Sequence, residues 1–507
     1  MLSAEQKDIV LCTINARYIH SAFGLRYLQA NLGELQSSSV IKEFTLESRV
    51  EDMAEQILMH APRIIGLGIY VWNCELSEKL VALLKQAALD VQIVLGGPEV
   101  SYEYESQPMV ALADYLITGW GEISFATLCQ SLLRGETVAD TMLAGEQGAL
   151  RDLEMPYSLY NEQDIKHRII YVEASRGCPF KCEFCLSALD KTAWPFDLDR
   201  FLEEMDLLYQ RGARHFKFVD RTFNLKVKSS LRILDFFLAR LDADLFLHFE
   251  VIPDHLPPLL QEKIAQFPPG TLQFEIGIQS FNETVQQNIS RRQNNEAAEQ
   301  NIGWILEHSN AHVHTDLIFG LPGEDMSSFA ASFDRLCALG PHEIQVGILK
   351  RLKGSPIIRH TDTFQLRFNP NPPFNVISTD RVTFRETQAM QRFARFWDLI
   401  GNSGHFKHSL PQILGASPFS NFSGLAARLY ESSGQTHKIS LLRLYDLVYE
   451  AAIHLSLAPA DTLQVCLAND VEVSGLKSKP RFLLGARAVS SATRRKTANQ
   501  RQTRHLQ

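Results

Sequence analysis

The sequence lacks any long apolar run. Its 507 residues are 45% hydrophobic and 21% charged, and the apolar stretch LVALLKQAAL is interrupted by Lys85. A bilayer-spanning helix needs about 20 consecutive apolar residues, so we expect no membrane partner. The first ten residues, MLSAEQKDIV, carry acids and no apolar core, which does not match an export signal. These features predict a cytoplasmic protein of two or three domains.

Cysteine and positive charge are also scarce. Five of the eight cysteines are scattered along the chain, which favours buried free thiols over a disulfide framework: Cys12, Cys74, Cys129, Cys337 and Cys466. The net charge of -8 argues against binding to a nucleic-acid backbone. Residues 486–507 are the exception, because they are basic and contain no acid. We expect a disordered tail there, with RNA contact as the alternative.

A dinucleotide-binding fingerprint is missing from residues 1–135. Short apolar runs such as DIVLCTIN, IIGLGIYV and VQIVLGG alternate with amphipathic stretches, which predicts a doubly wound parallel sheet of the α/β class. Such sheets bind ligands beyond the carboxyl ends of their strands. The first strand-to-helix turn, NARYIHSAFG, has no GxGxxG spacing, so a nicotinamide domain is disfavoured. Glycine-rich turns follow later strands, at Gly96, Gly97, Gly119 and Gly121.

A second alternating series follows a polar, turn-rich stretch at residues 136–165, which we interpret as a linker. Residues 166–365 contain six strand-like runs: RIIYVEA, HFKFVD, LFLHFEVI, TLQFEIGIQ, HVHTDLIFG and EIQVGILK. Six strand-helix units predict a partial (β/α)6 barrel with its chemistry at the carboxyl ends of the strands. Residues 375–485 read as a mostly helical domain, in which Phe393, Phe396 and Trp397 are expected to be core.

Three cysteines stand close together in SRGCPFKCEFC, directly after the first strand of the second series: Cys178, Cys182 and Cys185. A zinc site usually needs a fourth ligand, and none follows at a typical spacing. A cluster used only for electron transfer needs a fourth thiolate. The CxxxCxxC spacing at the active end of a barrel favours a cluster with one open iron.

The same loop resembles the signature loop of the radical S-adenosylmethionine (SAM) enzymes. That resemblance implies a [4Fe-4S] cluster whose open iron binds the amino and carboxylate groups of SAM, with Phe184 against the adenine. The segments HFEVIPD, EIGIQSFNETVQQNISRRQN and TDLIFGLPGE resemble the oxygen-independent coproporphyrinogen oxidase branch. By this resemblance, four residues hold the ribose and methionine part of SAM: Glu250, Gln279, Arg291 and Asp316.

Asp220, in VDRTFN, stands where many relatives carry a GGE-like turn for the SAM amino group, although the local sequence differs. Polar residues in otherwise buried strands need partners, which SAM would supply for Glu250, Gln279 and Asp316. A hydrogen-bond network within the protein is the alternative for these three. For Arg291 the alternative is an exposed pair with Arg292.

The amino-terminal domain resembles the cobalamin-binding domain that precedes the barrel in one large class of radical SAM enzymes. LGGPEVSYEYE and ADYLITGWGE carry the resemblance, and they imply cofactor contacts at the four glycines named above. The DxHxxG element of histidine-ligated cobalamin proteins is absent, since His20 is followed by Gly24 at the wrong spacing. We therefore expect His20 to be a hydrogen-bonding or cofactor-edge residue, with no histidine nitrogen beneath cobalt, and a cobalt ligand at His20 is the alternative.

Together these resemblances imply a cobalamin-dependent radical SAM enzyme that methylates an unactivated carbon of a substrate they do not specify. Its cofactors are a [4Fe-4S] cluster, SAM and cobalamin, and its electron donor is a flavodoxin- or ferredoxin-type protein. Two alternatives stay open. One is a related enzyme that cyclises or rearranges its substrate without adding a methyl group, and the other is a cobalamin or redox sensor without turnover.

Overall fold

The computed structural model describes residues 5–190 and 192–484, and it divides into two compact units. The first unit comprises Met1–Arg221, Lys350–Ile358 and Asn369–Phe374. The second comprises Thr222–Leu349, Arg359–Phe368 and Asn375–Gln507. This division, at residue 221, does not coincide with the predicted domain boundaries, which stay predictions. The predicted basic tail, residues 486–507, lies outside the described residues.

The first unit contains a six-stranded parallel sheet with the strand order β2-β1-β3-β4-β5-β6. Every residue of the first strand is buried, which explains its unbroken apolar sequence IVLCTIN. Val10 and Cys12 pack into the core on one side of the sheet, whereas Ile9 and Leu11 pack on the other. The strands are β1 (Ile9–Asn15), β2 (Ser39–Thr45), β3 (Ile64–Gly68), β4 (Gln92–Gly96), β5 (Tyr115–Thr118) and β6 (Met142–Ala144).

Helices connect these strands and cover both sheet faces, as expected for a doubly wound fold. They are α1 (Phe23–Ala30), α2 (Val50–Leu58), α3 (Cys74–Ala87), α4 (Pro108–Leu112) and α5 (Glu122–Leu133). The prediction of a doubly wound parallel sheet is confirmed.

The stretch predicted to be a linker, residues 136–165, is partly structured. Its β6 strand pairs in parallel with β5, with Leu116 opposite Met142. A sixth helix, α6 (Glu162–His167), begins at Asn161, whose side chain forms a capping box with Asp164. The sequence contains no sign of β6, because a three-residue edge strand with exposed side chains needs no apolar run. The assignment of the stretch as a linker between domains stays a prediction.

The second series of strands also forms a six-stranded sheet, with the order β14-β13-β12-β11-β10-β7. All six strand-like runs of the sequence are strands here, and the prediction of a partial (β/α)6 barrel domain is confirmed. The strands, with the short β8–β9 pair, are β7 (Ile170–Val172), β8 (Ser175–Arg176), β9 (Trp194–Pro195), β10 (His215–Phe218), β11 (Phe246–Val251), β12 (Leu272–Gln279), β13 (His312–Phe319) and β14 (Glu343–Ile348).

Six helices accompany this series, most of them after a strand. They are α7 (Leu198–Gln210), α8 (Val227–Leu238), α9 (Pro258–Ile264), α10 (Glu283–Asn288), α11 (Asn295–His308) and α12 (Met326–Leu339). Among the described residues, none of the helices is long and apolar enough to cross a bilayer.

The carboxyl-terminal region of the second unit is mostly helical, as predicted. Phe393 and Trp397 pack edge-on against Phe333 of α12, at ring-centroid distances of 5.1 and 4.7 Å. Both are buried, so their helical spacing did mark core residues. The elements are β15 (Arg367–Phe368), β16 (Val376–Ser378), α13 (Phe384–Ile400), α14 (Leu410–Leu414), α15 (Pro418–Ser433), α16 (Leu441–His454) and α17 (Ala460–Ser474).

Candidate cofactor sites

The three cysteines predicted to bind a cluster lie in one loop of the first unit, after β7. Cys178 and Cys182 are buried, Cys185 is partly exposed, and the Cys185 N–H donates to the Cys182 carbonyl at 3.1 Å. Burial raises the pKa of Cys178 to about 11, and the charges of Cys185 and Cys182 add to the effect. The three sulfurs therefore share one neighbourhood, and a bound cation there would stabilise the thiolate form of Cys178.

The arrangement of these sulfurs fits a cluster better than a single metal ion. Among the described residues, no three His, Cys, Asp or Glu side chains converge on one metal position. In a [4Fe-4S] cluster each thiolate binds a different iron, so its ligands need not converge on a point. Three cysteines in one loop would leave the fourth iron without a ligand from the loop.

Asp220 is connected to the chain that leads into this loop. Its Oδ1 accepts a hydrogen bond from the Ser175 hydroxyl at 2.6 Å, and its Oδ2 accepts one from the Ala174 N–H at 3.0 Å. Burial raises the pKa of this carboxyl to about 7, while the two hydrogen bonds oppose the shift. The geometry makes Asp220 an anchor for the residues before Cys178, and its predicted contact with SAM stays a prediction.

A cavity of about 320 Å³ opens in the first unit, between the helices α1 and α5 and the carboxyl ends of three strands. Its wall is mostly apolar, with Phe23, Leu25 and Phe125 among the lining residues. All four glycines predicted to contact cobalamin line it: Gly96, Gly97, Gly119 and Gly121. None of the described residues that line it is a histidine.

Gly97 shows why glycine is needed at this turn. Its φ is +107°, a conformation that L side chains rarely adopt, and an added Cβ would lie 2.5 Å from the Ile69 carbonyl oxygen. Gly96 is different, because the nearest atom to its added Cβ is the Ile117 oxygen at 3.6 Å. A side chain at Gly96 would therefore be tolerated by the backbone and would occupy cavity space.

A buried ion-pair cluster joins the cavity to the cysteine loop. Arg176, two residues before Cys178, donates to Glu122 at 2.6 Å and to Glu173 at 2.7 Å. Its guanidinium also lies 4.8 Å from the ring centres of both Tyr27 and Trp120. Arg176, Glu122 and Glu173 all line the cavity. The segment that carries the cluster ligands thus also forms part of the cavity wall.

His20 lies outside the cavity wall. Its Nδ1 is 2.7 Å from the Tyr171 hydroxyl, and its carbonyl accepts a hydrogen bond from the Asn15 side chain at 2.9 Å. Burial lowers the pKa of His20, as do the positive charges of Lys217 and Arg17, so the neutral ring is favoured. These contacts make His20 a hydrogen-bonding residue of the loop after β1.

Three of the four residues predicted to hold the ribose and methionine part of SAM meet around Gly277 in the second unit. Asp316 is opposite Gly277 in the β12–β13 register, and the Arg291 guanidinium donates to the Gly277 carbonyl. A Cβ on Gly277 would lie 2.4 Å from the Gln279 Nε2. Gln279 ends β12 with a φ of +69°, and its buried Oε1 has no hydrogen-bond partner among the described residues. Such an acceptor fits a ligand that donates to it.

The fourth predicted SAM residue, Glu250, lies on the neighbouring strand β11, opposite Glu275. Phe184 is partly buried within the cysteine loop. Asp316 is also 3.3 Å from the Nε2 of His314. Burial disfavours a charged His314, but the close Asp316 carboxylate, together with the carboxylates of Glu275 and Glu343, outweighs burial and raises the pKa of the imidazole.

The sequence interpretation missed several residues of the cavity, most notably Arg176, Glu122 and Trp120. The sequence contained a local pattern that could have indicated two of them. Arg176 is part of the SRGC motif, and Trp120 stands between two glycines in ITGWGE. No local pattern indicates that Arg176 pairs with Glu122, which is 54 residues away.

Comparison with protein families identifies the amino-terminal sheet region and the strand-helix region that follows it. Residues 9–129 match the B12 binding domain family, and residues 172–336 match the radical SAM superfamily. The chain combines a B12-binding domain with a radical SAM domain. The cofactors of this combination are cobalamin, a [4Fe-4S] cluster and SAM. Residues 362–505 match a third family, described as a protein of unknown function, DUF4080.

Curated relatives resemble this chain over part of their length. The cobalamin-dependent radical SAM methyltransferase TokK of Streptomyces tokunonensis is 24% identical over 366 residues, 60% of this chain and 49% of TokK. An uncharacterised methyltransferase of Pyrococcus horikoshii is 26% identical over 41% of this chain and 50% of its own. The chain therefore spans about half the length of the curated relatives it matches.

Solved structures share the fold. The cobalamin-dependent SAM radical enzyme OxsB, with aqua-cobalamin and SAM bound, has a TM-score of 0.60 at 12% identity, covering 92% of this chain and 84% of its own. The radical SAM methyltransferase TsrM of Kitasatospora setae, with cobalamin and a [4Fe-4S] cluster bound, has a TM-score of 0.56 at 15% identity. The match covers 69% of this chain and 74% of TsrM.

Proposed function

We propose that this protein is a cobalamin-dependent radical SAM methyltransferase that methylates an unactivated carbon. The observation that carries the proposal is the Arg176 cluster, because it makes one segment part of both the cysteine loop and the apolar cavity. The cluster and cobalamin would then be held by the same unit. Arg176, in the cavity wall, stands two residues before Cys178. When bound, SAM at the reduced cluster supplies a 5'-deoxyadenosyl radical, and methylcobalamin supplies the methyl group.

The residues of this chain bind and orient the cofactors. Cys178, Cys182 and Cys185 hold the cluster, and Asp220 fixes the chain in front of them through Ala174 and Ser175. In the second unit, the Gln279 Oε1, which has no hydrogen-bond partner among the described residues, would accept a hydrogen bond from bound SAM. Electrons come from a flavodoxin- or ferredoxin-type donor. Placing the reacting groups in a fixed geometry is the protein's main contribution to the rate.

The cavity of about 320 Å³ takes only part of a cobalamin molecule. Its apolar wall suits the dimethylbenzimidazole tail, and the glycine turns at Gly96 and Gly119 let the backbone approach the corrin ring at the mouth. These apolar side chains and glycine turns would hold the cofactor, which would supply the methyl group. Among the described residues, the cavity wall offers no histidine side chain.

The function is tested by anaerobic turnover of the reconstituted, reduced protein with cobalamin and methyl-deuterated SAM. We expect release of 5'-deoxyadenosine and transfer of a trideuterated methyl group to a component of a cell extract, detected by mass spectrometry. Release of 5'-deoxyadenosine without a labelled product would favour cyclisation or rearrangement. Absence of 5'-deoxyadenosine would favour a sensor.

The SAM site makes a separate prediction. Changing Gln279 or Asp316 to alanine should weaken SAM binding about tenfold or more, because each change removes a buried hydrogen-bonding group. Isothermal titration of the reconstituted protein measures the affinity, and iron content should stay near normal. Gln273→Ala is the matched control, since it removes a glutamine from the opposite end of β12. Unchanged affinity in both variants would show that these residues do not contact SAM.

A further inference from the structure

A second cavity, of about 420 Å³, lies wholly within the second unit along β14. β14 is the last strand in the order of its sheet. In a parallel sheet, alternate residues of a strand direct their N–H and C=O groups to opposite sides. An edge strand such as β14 therefore uses every second residue to hydrogen-bond β13, and the residues between direct their N–H and C=O away from β13. The Leu349 N–H, directly after β14, points towards β13, because it donates to the Phe319 carbonyl at 2.9 Å. The even-numbered residues of β14 therefore face the opposite way. The Leu349 carbonyl accepts instead from the Val376 N–H at 2.8 Å, so the open edge ends at Ile348.

The contacts of Ile344 confirm this direction. Its N–H donates to the Asn402 side chain at 2.9 Å, and its carbonyl accepts from the same side chain at 2.9 Å and from the Trp397 indole at 2.8 Å. The Asn402 carboxamide thus accepts from and donates to the main chain of Ile344, as a residue of a neighbouring strand would. Val346 and Ile348 are the next residues on this edge, and both line the cavity. Among the described residues, no hydrogen bond reaches the main-chain groups of Val346 from that side.

The rest of the cavity wall is rich in carboxamides. Gln345, Asn375 and Gln391 line it, together with Asn402 at one end. The partly buried Asn375 has an Oδ1 with no hydrogen-bond partner among the described residues. The charged lining residues Arg395 and Asp398 pair with each other at 3.1 Å. The third titratable lining residue, His314, is paired with the carboxylates of Asp316 and Glu343. Such a wall suits a neutral ligand that both donates and accepts hydrogen bonds, rather than a phosphate or another anion.

The cavity also adjoins the residues assigned to SAM in this unit. His314 lines it, and the Nε2 of His314 lies 3.3 Å from Asp316. A ligand in the cavity would therefore lie one side chain away from Asp316. This position is suitable for a substrate rather than for a remote regulatory ligand.

We propose that this cavity binds a peptide segment in extended conformation, added as a strand to the free edge of β14. A peptide main chain repeats a donor and an acceptor at the strand spacing, which matches the open groups of Val346 and Ile348. The open edge lies between Ile344, which pairs with Asn402, and Leu349, which pairs with Val376, and it has room for roughly three residues at about 3.3 Å per residue. The inference rests on the proposed methyltransferase function, for which it names a peptide as the substrate class.

The first test uses the full-length wild-type protein and a pool of acetylated, amidated tetrapeptides. Affinity selection with mass spectrometry should retain a subset of them, whether or not SAM is cleaved. Single N-methylation of a retained peptide should weaken binding about tenfold at alternate amides and leave it nearly unchanged at the amides between. No retained peptide, or equal effects at successive amides, would overturn the proposal. Retention of added nucleosides in place of peptides would indicate a different polar substrate.

The second test changes the strand edge. Val346→Pro removes an N–H that does not pair with β13, and proline is tolerated on edge strands. We expect about a tenfold loss of peptide affinity, whereas Val346→Ala, which keeps the N–H, retains binding. Asn375→Leu should also weaken binding, because it removes the unpartnered acceptor. Full peptide affinity in both Val346→Pro and Asn375→Leu would contradict the assignment. SAM affinity should be unchanged in all three variants, which separates this result from a failure of the SAM site.

Discussion

Replacing Cys178, Cys182 or Cys185 with alanine is expected to remove most of the cluster iron and all detectable formation of 5'-deoxyadenosine. Each thiolate would hold one iron of the cluster, and the remaining iron must stay free of protein ligands to bind SAM. Among the described residues, no group of three or more Cys, His, Asp or Glu side chains converges on another position that could hold the iron instead. Iron and sulfide assays, with 5'-deoxyadenosine measured by chromatography, give the result directly.

Cys129→Ala and Cys337→Ala are the matched controls. Both cysteines lie in helices, where burial raises the pKa of each thiol well above its usual range. Neither lies in the loop that carries Cys178, Cys182 and Cys185, so we expect neither to bind the cluster. We expect normal cluster content and activity in both variants. Full activity in any of the three loop variants would refute the cluster assignment.

The second large effect is expected at the apolar cavity of the first unit. Gly96→Phe should lower cobalamin affinity by at least about a hundredfold, because the ring would occupy the space proposed for the dimethylbenzimidazole tail. The backbone at Gly96 tolerates a side chain, since its added Cβ meets nothing closer than 3.6 Å. Cobalamin binding is followed by absorbance after gel filtration. Cluster iron serves as the internal control, and it should be unaffected.

His20→Ala is the contrasting variant for cobalamin. His20 does not line the cavity, and its ring is held by Tyr171. We expect cobalamin to bind, and the electron paramagnetic resonance spectrum of cob(II)alamin should lack nitrogen superhyperfine splitting in both the wild type and the variant. Splitting that is present in the wild type and absent from His20→Ala would identify His20 as the cobalt ligand.

For the Gly96→Phe variant, full cobalamin binding would contradict the assignment of the cavity as the cobalamin site.

The sequence alone determined the features that depend on local order. Continuous apolar runs predicted the buried parallel strands, since a strand covered on both faces needs no polar side. The spacing of Cys178, Cys182 and Cys185 predicted a three-ligand loop, because a short loop places its own residues together. The glycine-rich turns at 96, 97, 119 and 121 indicated a place where the backbone lines a cavity. At Gly97 the reason is its φ of +107°, a conformation that other residues rarely adopt.

Only the tertiary structure decided which distant residues meet. Arg176 pairs with Glu122 across 54 residues, Asp220 holds Ser175 across 45, and His20 contacts Tyr171 across 151. The free edge of β14 depends on strand order, and its closure at Ile344 depends on Asn402 from beyond α13. A sequence pattern reports how a residue relates to its neighbours in the chain. Contacts between distant segments are fixed instead by how packed strands and helices exclude water and pair their buried polar groups.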